Sequence, residues 1–248
     1  MKKFVAILLA FILGLSLTAC HEESGVLDEI KTYEITSDIC ALDIEINAAN
    51  FKIEYGNQFF VESNLKNLSV SERGGVLKVV DEIRSSVTYT DAMLTLHLPH
   101  GISLEEVKIE TGAANVTADT LSAGSLKLEL GAGNVEFGCL NANQHAQIEG
   151  GAGQIVVSSG TLQDLSLRLG VGRLDLTAAL LGESKLNLGV GESKITLIGD
   201  QDDYEIDIQE GIGSITLSED IVLNSGIGQH HVQINGGIGS ADLSLVNP

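Results

Sequence analysis

A tripeptide that begins with Gly recurs seven times between Gly112 and Gly239, each time after an alternating apolar pattern. The copies are Gly112-Ala113-Ala114, Gly131-Ala132-Gly133, Gly151-Ala152-Gly153, Gly170-Val171-Gly172, Gly189-Val190-Gly191, Gly211-Ile212-Gly213 and Gly237-Ile238-Gly239. Their first glycines lie 19, 20, 19, 19, 22 and 26 residues apart. A repeat of this length marks a stacked solenoid, in which each turn buries its apolar face only against its neighbours. Residues 101–248 are therefore predicted to form an all-β coil, a parallel β-helix-like β-solenoid of short strands with about 19–20 residues per rung.

Counting from the first Gly as zero, positions minus five, minus three and minus one are apolar: Val107, Ile109, Thr111; Leu126, Leu128, Leu130; Leu165, Leu167, Leu169. Polar residues such as Lys108, Glu110, Lys127 and Glu129 lie between them. This period of two describes a strand with one buried face. Ile109, Leu128, Ile148, Leu167 and Leu186 should then form one internal row. After the tripeptide the apolar set moves to even positions, as in Val116 and Ala118 or Val135 and Phe137. A regular strand cannot change parity, so the chain turns a corner there, where Gly tolerates unusual dihedrals. The plus-one residues grow from Ala113, Ala132 and Ala152 through Val171 and Val190 to Ile212 and Ile238. They are expected to point inward, which predicts a core that widens at this corner.

One rung offers roughly five or six buried aliphatic groups at about 1.5–3 kcal/mol each. Ordering its backbone costs about 1–2 kcal/mol per residue. A lone rung cannot fold, whereas a stack can, because each rung hydrogen-bonds to the next. No segment after residue 30 has the 3.6-residue apolar period of a helix.

A worn copy lies upstream. Asp43–Ile53 aligns with Lys108–Ala118, with Asn47 in the place of Gly112. Asn is the next most tolerant residue of left-handed geometry. Phe59–Glu62, Leu68–Glu72, Val76–Asp81 and Met93–Leu98 read as short strands, with Arg73-Gly74-Gly75 as a turn. Residues 32–100 are thus an irregular N-terminal β region continuous with the coil. At the other end, Gly226-Ile227-Gly228 falls between Gly211 and Gly237, so one of these tripeptides is expected to be a loop.

The chain starts with Met1-Lys2-Lys3 and an apolar run, Phe4–Leu17, too short for a comfortable membrane span. Leu17-Thr18-Ala19-Cys20 resembles a bacterial lipobox. Residues 1–19 are then a lipoprotein signal peptide, Cys20 the lipidated first residue, and 20–31 a short polar tether. Acyl chains on Cys20 would hold the protein on the extracytoplasmic side of a bacterial membrane. Without Lys2 and Lys3, twelve basic side chains face 34 acidic ones. That balance makes nucleic acid a poor partner.

The sequence supplies little chemistry. Glu110, Glu129 and Glu149 share the minus-two column with Arg168, and Lys108 and Lys127 lie nearby, which describes a solvated, partly neutralised ladder. Asp200, Asp202 and Asp203, followed by Glu205, make an oxygen-rich run of the kind that holds calcium. They lack the glycine spacing of an EF-hand loop, so no metal site is assigned. His230 and His231 are adjacent, and in a strand would face opposite sides. They suit a surface turn. His97 and His100 flank Pro99 at a strand end. Cys40 and Cys139 fall on inward parities and read as buried free thiols, although pairing is not excluded by spacing. There is no nucleophile elbow and no P-loop, and no cofactor is implied.

The stretch Glu105–Val116 and the phrase Leu128-Glu129-Leu130-Gly131-Ala132-Gly133-Asn134-Val135 resemble the bacterial putative-adhesin family of β-solenoid domains, a domain of unknown function. The similarity runs from about residue 38 to the C-terminus. It implies an exported or membrane-tethered, non-catalytic protein and carries over no site residues. The plus-three Asn of Asn115 and Asn134 gives way to Gln154, Arg173, Glu192, Ser214 and Ser240. The resulting expectation is a lipid-anchored cell-surface scaffold, not an enzyme, that binds a protein or glycan of the envelope. An envelope-stress sensor or accessory subunit of a membrane complex is the alternative. A polysaccharide-acting β-helix enzyme is a weaker one, because its loops would need to be longer.

Overall fold

Alternating aliphatic residues stack into one row, and the rest of the coil is organised around it. In the computed structural model, which describes residues 27–82, 91–223 and 228–247, Ile44 pairs with Ile109 and Ile109 with Leu128. Leu167 pairs with Ile148 on one side and Leu186 on the other. All six are at 0% exposure. The row continues through Ile234 to Ile208.

The strands in chain order are β1 (Leu27–Glu34), β2 (Ala41–Ile46), β3 (Asn50–Gly56), β4 (Phe60–Leu65), β5 (Leu68–Arg73) and β6 (Val76–Asp81). Then come β7 (Met93–Pro99), β8 (Glu106–Ala113), β9 (Asn115–Val157), β10 (Gly160–Gln163), β11 (Leu165–Leu181) and β12 (Glu183–Asn187). The last are β13 (Val190–Ile198), β14 (Tyr204–Gln209), β15 (Ile212–Leu217), β16 (His230–Asn235) and β17 (Ile238–Val246). Among the described residues the only helical element is a 3-10 turn at Gln201–Asp203. None is long and apolar enough to cross a membrane. The central rungs have three sides: one before the glycine corner, one after it, and a third in which β10 pairs with Leu140–Ala142 and with Ala179–Leu181.

The glycines are required by contact as well as by dihedral angle. A Cβ on Gly131, Gly151, Gly170 or Gly189 would overlap the carbonyl oxygen of the first glycine one rung back. The second glycine of each phrase meets the same obstacle, and Gly133, Gly153, Gly172, Gly191, Gly213 and Gly239 also sit at φ between 131° and 149°. These positive angles supply the parity switch.

The plus-one residues do not point inward. Val171, Val190, Ile238 and Ile212 are 59%, 44%, 51% and 73% exposed, and Ala113, Ala132 and Ala152 are also exposed. At a convex corner the flanking strands converge on the inside, and the minus-one and plus-four side chains fill that space. At the Gly151 corner that pair compensates in size. Gly150 lies against Ile155, and a Cβ there would come within 2.8 Å of Ile155 Cδ1. No widening of the core is needed.

Rungs do not stack in sequence order at either end. Val190 pairs with Val171 and with Ile238, whereas Ile212 pairs with Ile238. The C-terminal strands β16 and β17 are therefore inserted between the Gly189 and Gly211 rungs. The longer intervals around residues 200 and 220 give the chain length to step out and return. Gly211 and Gly237 both mark true rungs, while Gly226 and Ile227 lie outside the described residues. The N-terminal end mirrors this arrangement: β2 lies between β6 and β8, and β3 between β7 and β9. Its register is Asp43 on Lys108 and Phe51 on Val116, as the sequence alignment requires. Beyond it, β4 pairs antiparallel with β7, β1 with β4, and β5 with β6, closing that end.

Two expectations are corrected. The tether predicted over 20–31 does not extend to residue 31, because residues 27–31 belong to β1 and Leu27 packs on the core. Cys40 and Cys139 are free but half-buried; the buried parity shifts between Phe137 and Leu140, which takes Cys139 off the inner face.

The corner contact predicts a contrast between two substitutions. Gly172→Ala should destabilise the protein by more than about 3 kcal/mol, because it adds overlap to an unfavourable φ. Gly56→Ala, where a Cβ meets nothing within 4 Å, should stay within about 0.5 kcal/mol of the parent. Urea unfolding midpoints of the two variants check this.

Candidate functional site

Turning outward, the plus-one residues make a continuous ridge. In spatial order it runs Ala113, Ala132, Ala152, Val171, Val190, Ile238 and Ile212, in register by strand pairing, with Ala132 and Ala152 stacked through Gly151 on Gly131 and Gly153 on Gly133. Glycine on both sides of every ridge residue except Ala113, which Ala114 follows, leaves the ridge standing clear of neighbouring side chains. Apolar exposure of this extent on successive rungs is what marks contact surfaces. The ridge grows bulkier toward Ile212, and the plus-three flank changes from Asn115 and Asn134 to Arg173, Glu192 and Ser240. A crevice of about 50 Å³ runs along the same corner, lined by Leu130, Val135, Ile155 and Leu169 among others. It is too small for an organic ligand.

A second surface lies on the strand side before the corner. Glu45, Glu110 and Glu129 are in register, and Glu149 is followed by Arg168. These carboxylates are neutralised locally. Lys78 Nζ donates to Asp43 Oδ2 at 2.7 Å and to Glu45 Oε1 at 2.8 Å. Lys108 pairs with Glu110 at 2.7 Å and reaches Asp43 Oδ1 at 3.7 Å. Lys127 pairs with Glu129, and Gln147 donates to Glu149 at 3.0 Å. The ladder therefore has the partly neutralised form expected of it. The side-chain hydrogen bonds to Asp43 and Glu45 push the Lys78 ammonium up from its ordinary pKa, and those to Glu110 and Glu129 do the same for Lys108 and Lys127. An open hollow of about 1180 Å³ faces this ladder and is bounded on one side by β5.

The other residues singled out from sequence do not converge. Asp200, Asp202 and Asp203 lie on and before the 3-10 turn, where Asp203 Oδ2 accepts the Asp200 N–H at 3.0 Å. Among the described residues no three His, Cys, Asp or Glu side chains group as a metal-binding set. His230 and His231 lie in β16, not in a surface turn, because that strand fills the gap between two rungs. His230 Nδ1 accepts the Gly182 N–H at 3.1 Å, and His231 Nδ1 lies 3.1 Å from Glu183 Oε2. His97 stacks on Phe60 at 4.0 Å and sits between Glu54 and Glu62. Cys20 lies outside the described residues.

Sequence reasoning missed Lys78, which reaches the ladder from a strand distant in sequence. It also missed Asp164, which holds a turn at φ 47° while accepting the Glu183 N–H at 2.8 Å. That backbone hydrogen bond holds the Asp164 carboxyl below its ordinary value. Nothing local in the sequence marks either residue, because the partners of both come from other strands.

A coil of glycine-cornered rungs with this register is the fold of a known family, and the match covers residues 36–244. The chain belongs to the Toastrack DUF4097 family. Two solved structures share the Toastrack fold with it. A putative adhesin from Bacteroides fragilis is 14% identical, with 89% of this chain and 98% of that one covered at a TM-score of 0.53. A putative adhesin from Parabacteroides distasonis is 16% identical, with 90% and 98% covered at a TM-score of 0.50. No curated protein matches the chain.

The ladder predicts a salt- and pH-dependent contribution from Lys78. Because the pair is partly exposed, Lys78→Gln should cost only about 0.5–1 kcal/mol at low salt, and less at high salt. A lysine whose folded pKa is raised stabilises fully below the ordinary value of about 10.4, and that contribution is lost as pH rises through the folded value. Parent and variant should therefore converge in strongly alkaline solution. Unfolding midpoints measured against pH and salt check both effects.

Proposed function

We propose that this Toastrack protein is an exported, lipid-anchored, non-catalytic scaffold that presents the corner ridge of a rigid β-coil to a protein or glycan of a cell envelope. The observation that carries this reading is the exposed Val171, Val190, Ile238 and Ile212 column, held in register by backbone pairing of successive rungs. A surface fixed in this way loses little conformational entropy on binding, so its apolar contact converts efficiently into affinity. The lipobox-like Leu17-Thr18-Ala19-Cys20 supports tethering at a membrane through Cys20. The shared fold with two structures named as adhesins is in keeping with a binding role. Asp200, Asp202 and Asp203 have no part in it.

Two substitutions separate anchoring from binding. Replacing the four ridge residues together by Ser should leave the unfolding midpoint nearly unchanged, because all four are exposed. It should abolish the adduct formed on intact cells by a photocrosslinker placed at Ala152. Cys20→Ala should move the protein out of the membrane fraction. An undiminished adduct in the ridge variant contradicts the binding surface, and a wild-type protein found free in the medium contradicts the anchor.

A further inference from the structure

The rung that ends the coil in space is left half covered. β15 pairs with β17 on one side, and among the described residues no strand pairs with its other side. Its inward side chains register the missing neighbour. Ile195, Leu243 and Leu217 form one row, in which the first two are 1% and 2% exposed while Leu217 is only half-buried. Ile215, stacked on the buried Ala241, is half-buried as well. The opposite end is finished differently: β5 and β4 add antiparallel strands outside β6 and β7, β1 lies outside β4, and the edges left there are those of β5 and β1. One end is flanked by antiparallel strands, and the other presents the bare parallel edges of its last rung, β14 and β15.

Charge narrows what can occupy that edge. Glu210 precedes β15, Glu219 and Asp220 follow it, and Asp242 lies beside Thr216; all four are exposed. No Lys or Arg occurs after Lys194, which itself lies beside Asp242, so the acids of these four without a neighbouring cation in the rung are Glu210, Glu219 and Asp220. An unpaired strand edge is a template for another chain, and like charge is the device that turns away wrong partners. A second copy meeting edge to edge would bring two acidic rims together. A second copy meeting end to end would bring β1 or β5, where Asp28, Glu29, Glu34 and Glu72 outnumber Lys31 and Arg73, against the acidic rim.

We propose that β15 is a β-augmentation edge for a cationic extended polypeptide segment, one that alternates small apolar residues with Lys or Arg. The backbone of such a segment would continue the ladder past Ile212–Leu217. Its apolar residues would cover Ile215 and Leu217, and its cations would meet Glu210, Glu219 and Asp220. Main-chain pairing gives affinity in this mode, and alternate side chains give selectivity. The edge is distinct from the ridge, with which it shares only Ile212, so either surface can fail without the other.

The test is a titration of the full chain with a synthetic peptide alternating valine and lysine, followed by amide hydrogen exchange. A twin peptide with N-methylated backbone keeps the charge and apolarity but cannot pair, and a valine–glutamate peptide reverses the charge. The valine–lysine peptide should bind saturably, more weakly as salt rises, and slow exchange at residues 212–217. The twin should bind at least about tenfold more weakly for want of several backbone hydrogen bonds, and the acidic peptide should not bind. Equal binding of the twin, which would show attraction by the acidic field alone, overturns the proposal. So does protection that falls outside 212–217, or dimerisation of the protein through those residues without peptide.

Discussion

At each glycine corner one carbonyl oxygen does two things that exclude a side chain. Gly189 O accepts the Ile238 N–H at 2.8 Å, and Gly237 O accepts the Ile212 N–H at 2.8 Å, so the hydrogen-bonded ladder runs through the bend without a break. The same oxygens occupy the positions that a Cβ of Gly237 and Gly211 would need. Rungs about 4.8 Å apart can therefore stack directly over one another at the corner only if glycine stands there. Because the bend is tight, the plus-one residue is forced to the convex side. The internal row, the outward ridge and the small corner crevice all follow from that geometry.

The coil's ends follow from a different requirement. Parallel stacking leaves unpaired backbone groups at both extremities, and such edges invite association. The N-terminal region places β2 and β3 one rung inside the end and folds β4, β5 and β1 back antiparallel, so the edges it leaves belong to β1 and β5 and not to a rung of the coil. The C-terminal region uses the first half of the same device, inserting β16 and β17 one rung inside, but leaves β15 at the boundary without an antiparallel strand. Acidic residues stand around it instead. An end flanked by antiparallel strands and an acidic end that exposes a parallel rung give the molecule a polarity along its axis.

Much of the interior was readable from sequence because strand parity and register are local properties. Ile109, Leu128, Ile148, Leu167 and Leu186 were placed in one row by alternation counted from the glycine phrase, and the Asn47 copy, which carries Ile44, aligned residue for residue. The orientation of the plus-one residues was not, because parity says that a switch occurs within the tripeptide but not at which residue. The positive φ of the second glycine decides it. Rung order was also hidden, since Gly211-Ile212-Gly213 and Gly237-Ile238-Gly239 are equivalent phrases and nothing local says which one contacts Gly189. The lengthened intervals were the only trace. Lys78 could not be assigned to the carboxylate ladder because its strand reaches Asp43 and Glu45 through pairing distant in sequence.

Disulfide mapping along the ridge tests the corner stacking most directly, because the positions are exposed and adjacent only if rungs are ordered in space as described. In a chain whose own cysteines are replaced by serine, Val190→Cys with Ile238→Cys should oxidise readily to an intramolecular disulfide, the two residues being partners in register. Val190→Cys with Ile212→Cys should stay reduced, because two rung spacings are roughly 10 Å and a disulfide needs Cα atoms within about 7 Å. A bridge between positions 190 and 212, with none between 190 and 238, would contradict the stacking of the corners and the fold built on it.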